Sequence, residues 1–118
     1  MTSKQKFSIL IKQLAKRHSL HLDTEKVFCK GRKWRLDYCF PDLMIAVEYE
    51  GIFANKSRHT TISGFTGDVE KYNMATAMGY KLFRATAKDY IKTLDLIEQT
   101  ILNTKTNEQL QNRTNGEE

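Results

Sequence analysis

Three carboxylates have the types and spacing that suit chemistry: Asp37 in RLDYCF, and Glu48 and Glu50 in IAVEYE. These segments alternate on either side of Pro41-Asp42, which predicts two antiparallel strands joined by a two-residue turn. Because successive side chains of a strand point to opposite faces, the three carboxylates share one face. Crowded carboxylates repel one another, and Mg²⁺ or Mn²⁺ relieves that repulsion. The pattern therefore indicates a metal site, with an ordinary solvent-facing hairpin as the alternative.

The opposite face of this hairpin is apolar or aromatic throughout. A two-residue turn pairs Phe40 with Leu43 and Tyr38 with Ile45, so that partners keep a constant register. The apolar face then consists of Leu36, Tyr38, Phe40, Leu43, Ile45, Val47 and Tyr49. Such a face must pack on a hydrophobic core, so the hairpin is expected to lie inside a larger sheet.

The elements around the hairpin are read from hydrophobic periodicity and from start and stop signals. They are a helix over 3–18, a strand over 26–30, the two hairpin strands, a helix over 65–79, a strand over 80–86 and a helix over 87–103. Lys71 of the second helix lies off the side predicted to be buried, which consists of Phe65, Val69, Tyr72, Ala75, Thr76 and Met78. A right-handed crossover places the last strand parallel to the third. The order predicts an α/β domain with a mixed sheet flanked by helices.

Length and composition set further bounds. The chain has 118 residues, enough for one domain with its own core, which we expect at 1–103, followed by a polar and disordered tail over 104–118. It has no long apolar run and no signal-peptide pattern, so a cytoplasmic protein without a membrane partner is expected. Cys29 and Cys39 lack CxxC spacing, which argues against zinc. The net charge of +5 and the pI near 9.2 favour a polyanionic partner.

Two basic segments flank the hairpin. Before it, a glycine turn carries Lys30, Arg32 and Lys33, with Arg35 close behind. This positive tip suits the phosphates of a nucleic acid, and a merely soluble surface turn is the alternative of equal weight.

After the hairpin comes a segment without periodicity, residues 52–64, which contains Lys56, Arg58 and His59. A loop of this length in a small domain is usually functional or disordered. It leaves directly from the carboxylate strand, so its residues can reach the same site. His59 is a candidate general base or phosphate contact, although a lone loop histidine is more often neither.

Taken together, the motifs resemble a known superfamily. They are RKWRLDYCFPDLMIAVEYEG, then RHT at 58–60, GF at 64–65 and DVEKYNMATAMGYKLFRAT at 68–86, which cover about half of the chain. They resemble the PD-(D/E)XK nucleases, and in particular phage and prophage endonuclease-like proteins akin to very short patch repair endonucleases. The resemblance implies a single restriction-endonuclease-like domain with an αβββαβ core, followed here by a C-terminal helix.

The resemblance also implies roles for individual residues. Asp37 matches the metal-binding strand aspartate of such nucleases, and Glu48 matches the acidic residue of the (D/E)XK element. Glu50 stands where the superfamily has its lysine, so a cation from the second helix, Lys71, is the expected substitute. His59 belongs to a loop motif that is similar in these relatives.

The function implied by the resemblance is a Mg²⁺-dependent endonuclease, with Mn²⁺ as an alternative ion, that hydrolyses DNA phosphodiester bonds. In this reading Asp37, Glu48 and Glu50 hold the metal, and Lys71 and His59 assist catalysis. The expected DNA contacts are Lys30, Arg32, Lys33, Arg35, Lys56 and Arg58. The source would be a phage gene in a bacterial host, and the oligomeric state, a homodimer included, stays open.

Two other classes of function remain open on the sequence. One is a non-catalytic nucleic-acid-binding module on the same scaffold, because Glu50 replaces the usual lysine. The other is a protein-interaction domain whose basic charge is incidental.

Overall fold

The computed structural model of the chain describes residues 1–51 and 62–116. Its elements, in chain order, are α1 (Ser3–Arg17), β1 (Asp23–Val27), β2 (Arg35–Phe40), β3 (Ile45–Glu50), α2 (Ile62–Ala77), β4 (Lys81–Thr86) and α3 (Tyr90–Gly116). This is the predicted αβββαβ order with a C-terminal helix. The strands form one sheet in the order β1-β2-β3-β4, antiparallel except for the β3–β4 pair, which is parallel. The fold prediction, including the mixed sheet, is confirmed.

The hairpin turn differs from the prediction. Residues Pro41–Leu43 form a short 3₁₀ turn, and Met44 follows in the left-handed region with φ 53°. Phe40 therefore pairs with Ile45, and the two-residue turn with its pairing of Phe40 to Leu43 is wrong. Proline fixes its own φ and starts the 3₁₀ turn, which the N–H of Met44 closes by donating to the carbonyl of Pro41 at 3.2 Å. The observed register is shifted by two residues from the predicted one. Every cross-strand partner therefore changes, but an even shift leaves each residue of β3 on the predicted face of the sheet.

Helices cover both faces of the sheet. Helices α1 and α3 pack on one face, in a core formed by Phe7, Ile11, Leu14, Ala15, Tyr38, Phe40, Ile45, Val47, Ala85, Leu94, Ile97 and Ile101. A smaller cluster on the other face joins α2 to the sheet and consists of Phe28, Leu36, Cys39, Ala46 and Ala75. The hairpin is thus buried on both sides, and the alternative of a solvent-facing hairpin does not hold.

The side of helix α2 that faces the sheet matches only in part the side that its apolar residues predict. Val69 and Met78 are 40% and 42% exposed, whereas Ala75 is fully buried. The side toward the sheet follows the spacing i, i+1, i+4 from Lys71 through Tyr72 to Ala75. The predicted buried side is correct at Ala75 and at the half-buried Tyr72 but wrong at Val69, Thr76 and Met78, and the side chain of Phe65 lies outside the described ones. Lys71, which was placed off that side, also packs inward. The consequence is that Lys71 faces the carboxylate side of the hairpin.

The end of α2 follows the sequence signal. Gly79 has φ +95°, its N–H donates to Thr76 at 3.0 Å, and the N–H of Tyr80 donates to Ala75 at 3.0 Å. This is the paired arrangement that ends a helix at a left-handed glycine. The predicted stop at Gly79 is confirmed, and it directs the chain into β4.

The first strand lies three residues earlier than predicted, at Asp23–Val27 and not over 26–30. The reason is a turn directly after it, in which the N–H of Arg32 donates to the carbonyl of Cys29 at 3.2 Å and Gly31 has φ +85°. The basic residues around Gly31 therefore lie on a loop between β1 and β2.

Helix α3 continues through Gly116, so the segment over 104–116 that was expected to be disordered is helical. The helix has good formers and no Gly or Pro before Gly116. The ammonium of Lys105 donates to the carbonyl of His18 at 2.6 Å and ties this stretch to the end of α1. The boundary of the domain at 103 stays a prediction.

None of the helices in residues 1–51 and 62–116 is both long and apolar enough to span a lipid bilayer.

Candidate active site

Regular strand pairing is interrupted at Asp37, in the middle of the sheet. The β1–β2 pairs involve Leu36 and Tyr38 but skip Asp37 and the residue opposite it, Glu25. Glu25 has φ 51°, a left-handed conformation that a non-glycine residue rarely adopts in a strand. The alternation of faces breaks here, because Leu36 packs on the same side as Cys39. The prediction that Leu36 shares the face of Tyr38 was therefore wrong.

On the other side of β2, carboxylate side chains replace the backbone ladder. Pairing with β3 ends at Tyr38 and Val47, and the same register continued places Asp37 opposite Glu48. The N–H of Asp37 donates to Oε2 of Glu48 at 3.2 Å, and the N–H of Tyr49 donates to Oδ2 of Asp37 at 2.8 Å. These crossed hydrogen bonds hold both carboxylates side by side, between the two strands.

The pair is electrostatically costly. Glu48 is 3% exposed, and burial raises its pKa to about 7, with the charge of Asp37 adding to the increase. One cation opposes this change, because the ammonium of Lys71 contacts Oε1 of Glu48. The single positive charge of Lys71 therefore lies beside two carboxylates, Asp37 and Glu48. Their excess negative charge remains in a nearly buried position.

Glu50, the third predicted metal ligand, is engaged elsewhere. Nη2 of Arg84 lies 2.7 Å from each of its carboxylate oxygens, and the hydroxyl of Tyr72 donates to Oε1 at 2.9 Å. The guanidinium of Arg84 also lies 4.7 Å from the centre of the Tyr72 ring. Burial raises the pKa of Tyr72, and the charge of Glu50 adds to this increase, so the phenol stays a donor. Glu50 is therefore neutralised by the protein itself.

As a result, the three carboxylates do not form one group of metal ligands. Within residues 1–51 and 62–116, no three His, Cys, Asp or Glu side chains are placed to bind one ion. The structure brings together Asp37 and Glu48, adds Lys71, and separates Glu50 from them.

The Asp37–Glu48 pair nevertheless fits a hard divalent cation. Mg²⁺ is usually held by one or two carboxylates and keeps its other positions for water and substrate phosphate. The donors here are all oxygens, and the raised pKa of Glu48 reflects negative charge that a cation would offset. The fit is with two ligands and not with the three that the sequence suggested.

A cavity of about 180 Å³ reaches Asp37 from the side of α1. Lys4, Ser8 and Lys12 of α1 line it, and so does Glu25. The hydroxyls of Ser3 and Tyr49 lie 2.5 Å apart and join the start of α1 to the end of β3 beside it. Asp37 is thus approachable, whereas Glu48 is almost fully covered.

The predicted nucleic-acid contacts are distributed unevenly. Lys30, Lys33 and Arg35 are exposed. Arg32 is engaged, because its Nη2 lies 3.0 Å from Oε2 of Glu70 and its guanidinium stacks 3.8 Å over the ring of Trp34. Lys56, Arg58 and His59 lie outside the described residues.

Sequence reasoning missed two partners in this region. Arg84 could have been found from the parallel β3–β4 pairing, whose register places it opposite Glu48 and two residues from Thr86, the partner of Glu50. Lys4 and Lys12 are exposed residues of α1, and their spacing of eight gives no sign of a cavity. Only the packing of α1 against β1 and β2 places them beside Asp37.

Comparisons with known proteins yield a likeness of fold. No model of a protein family matches the chain, and no curated protein matches it significantly. Among solved structures, the chain is similar to the catalytic domain of the homing endonuclease I-Bth0305I, with a TM-score of 0.57 and 14% identity. The match covers 91% of this chain and 96% of that domain. At this identity the likeness shows a shared fold.

Proposed function

We propose that this chain is a metal-dependent endodeoxyribonuclease that hydrolyses phosphodiester bonds of DNA. The observation that carries the proposal is the crossed Asp37–Glu48 pair with the ammonium of Lys71 on Glu48. The similar solved domain is the catalytic part of an endonuclease, which supports the same class of chemistry on this fold. The excess of basic residues supports a polyanionic substrate.

In the proposed mechanism Asp37 and Glu48 hold Mg²⁺, with Mn²⁺ as an alternative. When bound, the ion lowers the pKa of a water molecule and offsets negative charge that develops on the phosphate. The crossed hydrogen bonds fix the two carboxylates before the ion arrives, so little reorganisation is needed. This rigid placement is what a site that stabilises a transition state requires.

Lys71 supplies the cation that the strand lacks at Glu50. Its ammonium is held beside the carboxylate pair by contact with Glu48, and its side chain is 13% exposed. From there it can orient a water molecule or donate to a phosphate oxygen that gains charge. A substrate phosphate can accept from this ammonium while the contact with Glu48 is kept, because an ammonium carries three hydrogens.

Glu50 is assigned a positioning role. Its contacts with Arg84 and Tyr72 join β3, β4 and α2 next to Lys71, which immediately precedes Tyr72. His59 remains a proposed second general base, and Lys56 and Arg58 remain proposed DNA contacts. Lys30, Arg32, Lys33 and Arg35 are all exposed and are proposed to contact phosphates.

A second candidate is a nucleic-acid-binding module that does not cut. Two ion pairs favour this candidate, Lys71 with Glu48 and Arg84 with Glu50. Each of these two glutamates therefore has a cationic partner without a metal.

One experiment separates the two functions. Purified chain is incubated with linear, nicked, mismatched and branched DNA in Mg²⁺, in Mn²⁺ and in EDTA. Cleavage that requires the divalent ion supports the nuclease. DNA binding in EDTA without cleavage in either metal supports the binding module, and no salt-dependent binding at all leaves the protein-interaction class.

A further inference from the structure

The cavity at Asp37 has a basic wall that the proposed catalytic machinery does not use. Lys4, Ser8 and Lys12 follow one another at intervals of four on α1, so they form one stripe along the helix. The floor of the same cavity carries Asp37 and Glu25. A cationic stripe therefore leads directly to a carboxylate of the candidate active site.

The two lysines of this stripe have no carboxylate partner within the described part of the chain. The ion pairs formed by residues 1–51 and 62–116 involve other lysines and arginines, such as Lys26 with Asp23 and Lys71 with Glu48. Arg32 of the basic turn contrasts with them, because Glu70 already neutralises it. Lys4 and Lys12 thus line the cavity without being held in an ion pair.

We propose that the stripe of Lys4, Ser8 and Lys12 binds phosphates of the DNA strand that passes Asp37. This inference rests on the proposed function and adds the surface along which the substrate enters. Eight helical residues span about 12 Å, several times the roughly 3.4 Å axial rise between neighbouring phosphates of one DNA strand, so the stripe is long enough to contact more than one phosphate. The ammonium groups contact the outer phosphates, and the hydroxyl of Ser8 donates to one between them.

The strand therefore approaches from the α1 side of the sheet. Lys71 reaches the carboxylate pair from α2, on the other side. The lysines of α1 bind and position the phosphate backbone, whereas Lys71 acts at the reacting phosphate. Because contacts to phosphates carry no sequence information, this surface binds DNA of any sequence.

The test measures DNA binding without metal. A fluorescent duplex is titrated with the chain in EDTA at several KCl concentrations, and the slope of log affinity against log salt is determined. The double variant Lys4→Gln/Lys12→Gln is expected to reduce the steepness of this slope by about two units, since each phosphate contact contributes about 0.9. The control Lys6→Gln/Lys92→Gln removes the same net charge at exposed positions outside the cavity and is expected to keep the slope.

The charge-preserving variant Lys4→Arg/Lys12→Arg is expected to bind with the slope of the unchanged chain. A slope for Lys4→Gln/Lys12→Gln equal to that of the control overturns the proposal. If that double variant loses helical circular dichroism, the single variants replace it, each with an expected reduction of about one unit.

The outcome also separates this inference from the proposed function. If the wild-type chain binds DNA but never cleaves it, the proposed nuclease function is ruled out, and the comparison of salt slopes still tests the stripe. Wild-type chain that cleaves, with no effect of the stripe on the slope, removes the inference alone. Wild-type chain that does not bind DNA overturns both.

Discussion

The ammonium of Lys71 lies against the buried carboxylate of Glu48, although 23 positions separate the two residues in the sequence. The contact arises because α2 connects two parallel strands and must cross the face of the sheet to do so. It places a cation beside the acidic pair from a neighbouring element.

Replacing Lys71 tests this assignment. Lys71→Ala is expected to lower the saturated rate of DNA cleavage by about two to three orders of magnitude, the usual scale for losing one donor to the transition state. The Mg²⁺ concentration for half-maximal rate should change little, because Asp37 and Glu48 remain. Steady-state rates measured against Mg²⁺ concentration give both quantities.

The matched control is Lys92→Ala, which removes an exposed lysine of α3 and is expected to leave both quantities unchanged. If Lys71→Ala cleaves normally at saturating metal, the catalytic cation is another group, and His59→Ala is the next variant to measure.

Replacing Asp37 tests the metal site. Asp37→Ala is expected to abolish cleavage while the chain still folds, because loss of one charge relieves repulsion with Glu48 and offsets the loss of one hydrogen bond, about 1 kcal/mol. Asp37→Asn keeps an oxygen that accepts from the N–H of Tyr49, so it should fold at least as well and also fail to cleave. Cleavage assays and thermal unfolding of both variants check this. Wild-type turnover by either variant would remove Asp37 from the site.

Glu48 predicts how stability depends on pH. Its pKa is about 7 in the folded chain, against an ordinary value of 4.5, because burial and Asp37 disfavour its charged form. Between these values the folded state keeps a proton that the unfolded state has lost, so the contribution of Glu48 to stability is greatest below pH 4.5 and is lost as pH rises through 7. A difference of this size corresponds to about 3 kcal/mol.

The measurement is urea unfolding in EDTA across that pH range, for wild type and for Glu48→Gln. The variant should lack this part of the pH dependence. Identical pH profiles for the two proteins would show that Glu48 ionises as an ordinary carboxyl. Mg²⁺ added to wild type should raise the free energy of unfolding most at the high end of the pH range.

Glu50 provides a test between a ligand and a structural partner. Tyr72→Phe removes one hydrogen bond to its carboxylate and is expected to lower the free energy of unfolding by about 1–3 kcal/mol. Glu50→Gln should also destabilise the chain, because Arg84 loses its charged partner, while the Mg²⁺ requirement of cleavage stays the same. Unfolding curves and metal titrations of cleavage are compared. A raised Mg²⁺ requirement with unchanged stability would instead make Glu50 a metal ligand, as first expected from the sequence.

The order of elements was predictable because local signals agree with the fold. Alternation marked β2 and β3, Gly79 marked the end of α2, and the crossover rule placed β4 parallel to β3. The candidate pair Asp37 and Glu48 was predictable for a related reason. The expected and the observed strand registers differ by two positions. Because side chains alternate with a period of two, both registers place Asp37 and Glu48 on the same face of the sheet.

Other features required the tertiary structure. Hydrophobicity placed Val69 and Met78 on the buried side of α2 and left Lys71 off it, whereas Lys71 packs inward through its ion pair with Glu48. Leu36 packs on the face of Cys39 and not on that of Tyr38, at the point where Glu25 of the paired strand adopts a left-handed conformation. No sequence pattern predicts that conformation.

The sequence by itself determined the elements, their order and which acidic residues stand on the central strands, because these depend on contacts near in the chain. The tertiary structure alone decided how those charges are compensated. Lys71 contacts Glu48, Arg84 and Tyr72 contact Glu50, and Lys4 and Lys12 of α1 line the cavity at Asp37. Coulomb energy depends on distances of a few ångströms between elements far apart in sequence, and only their packing fixes those distances.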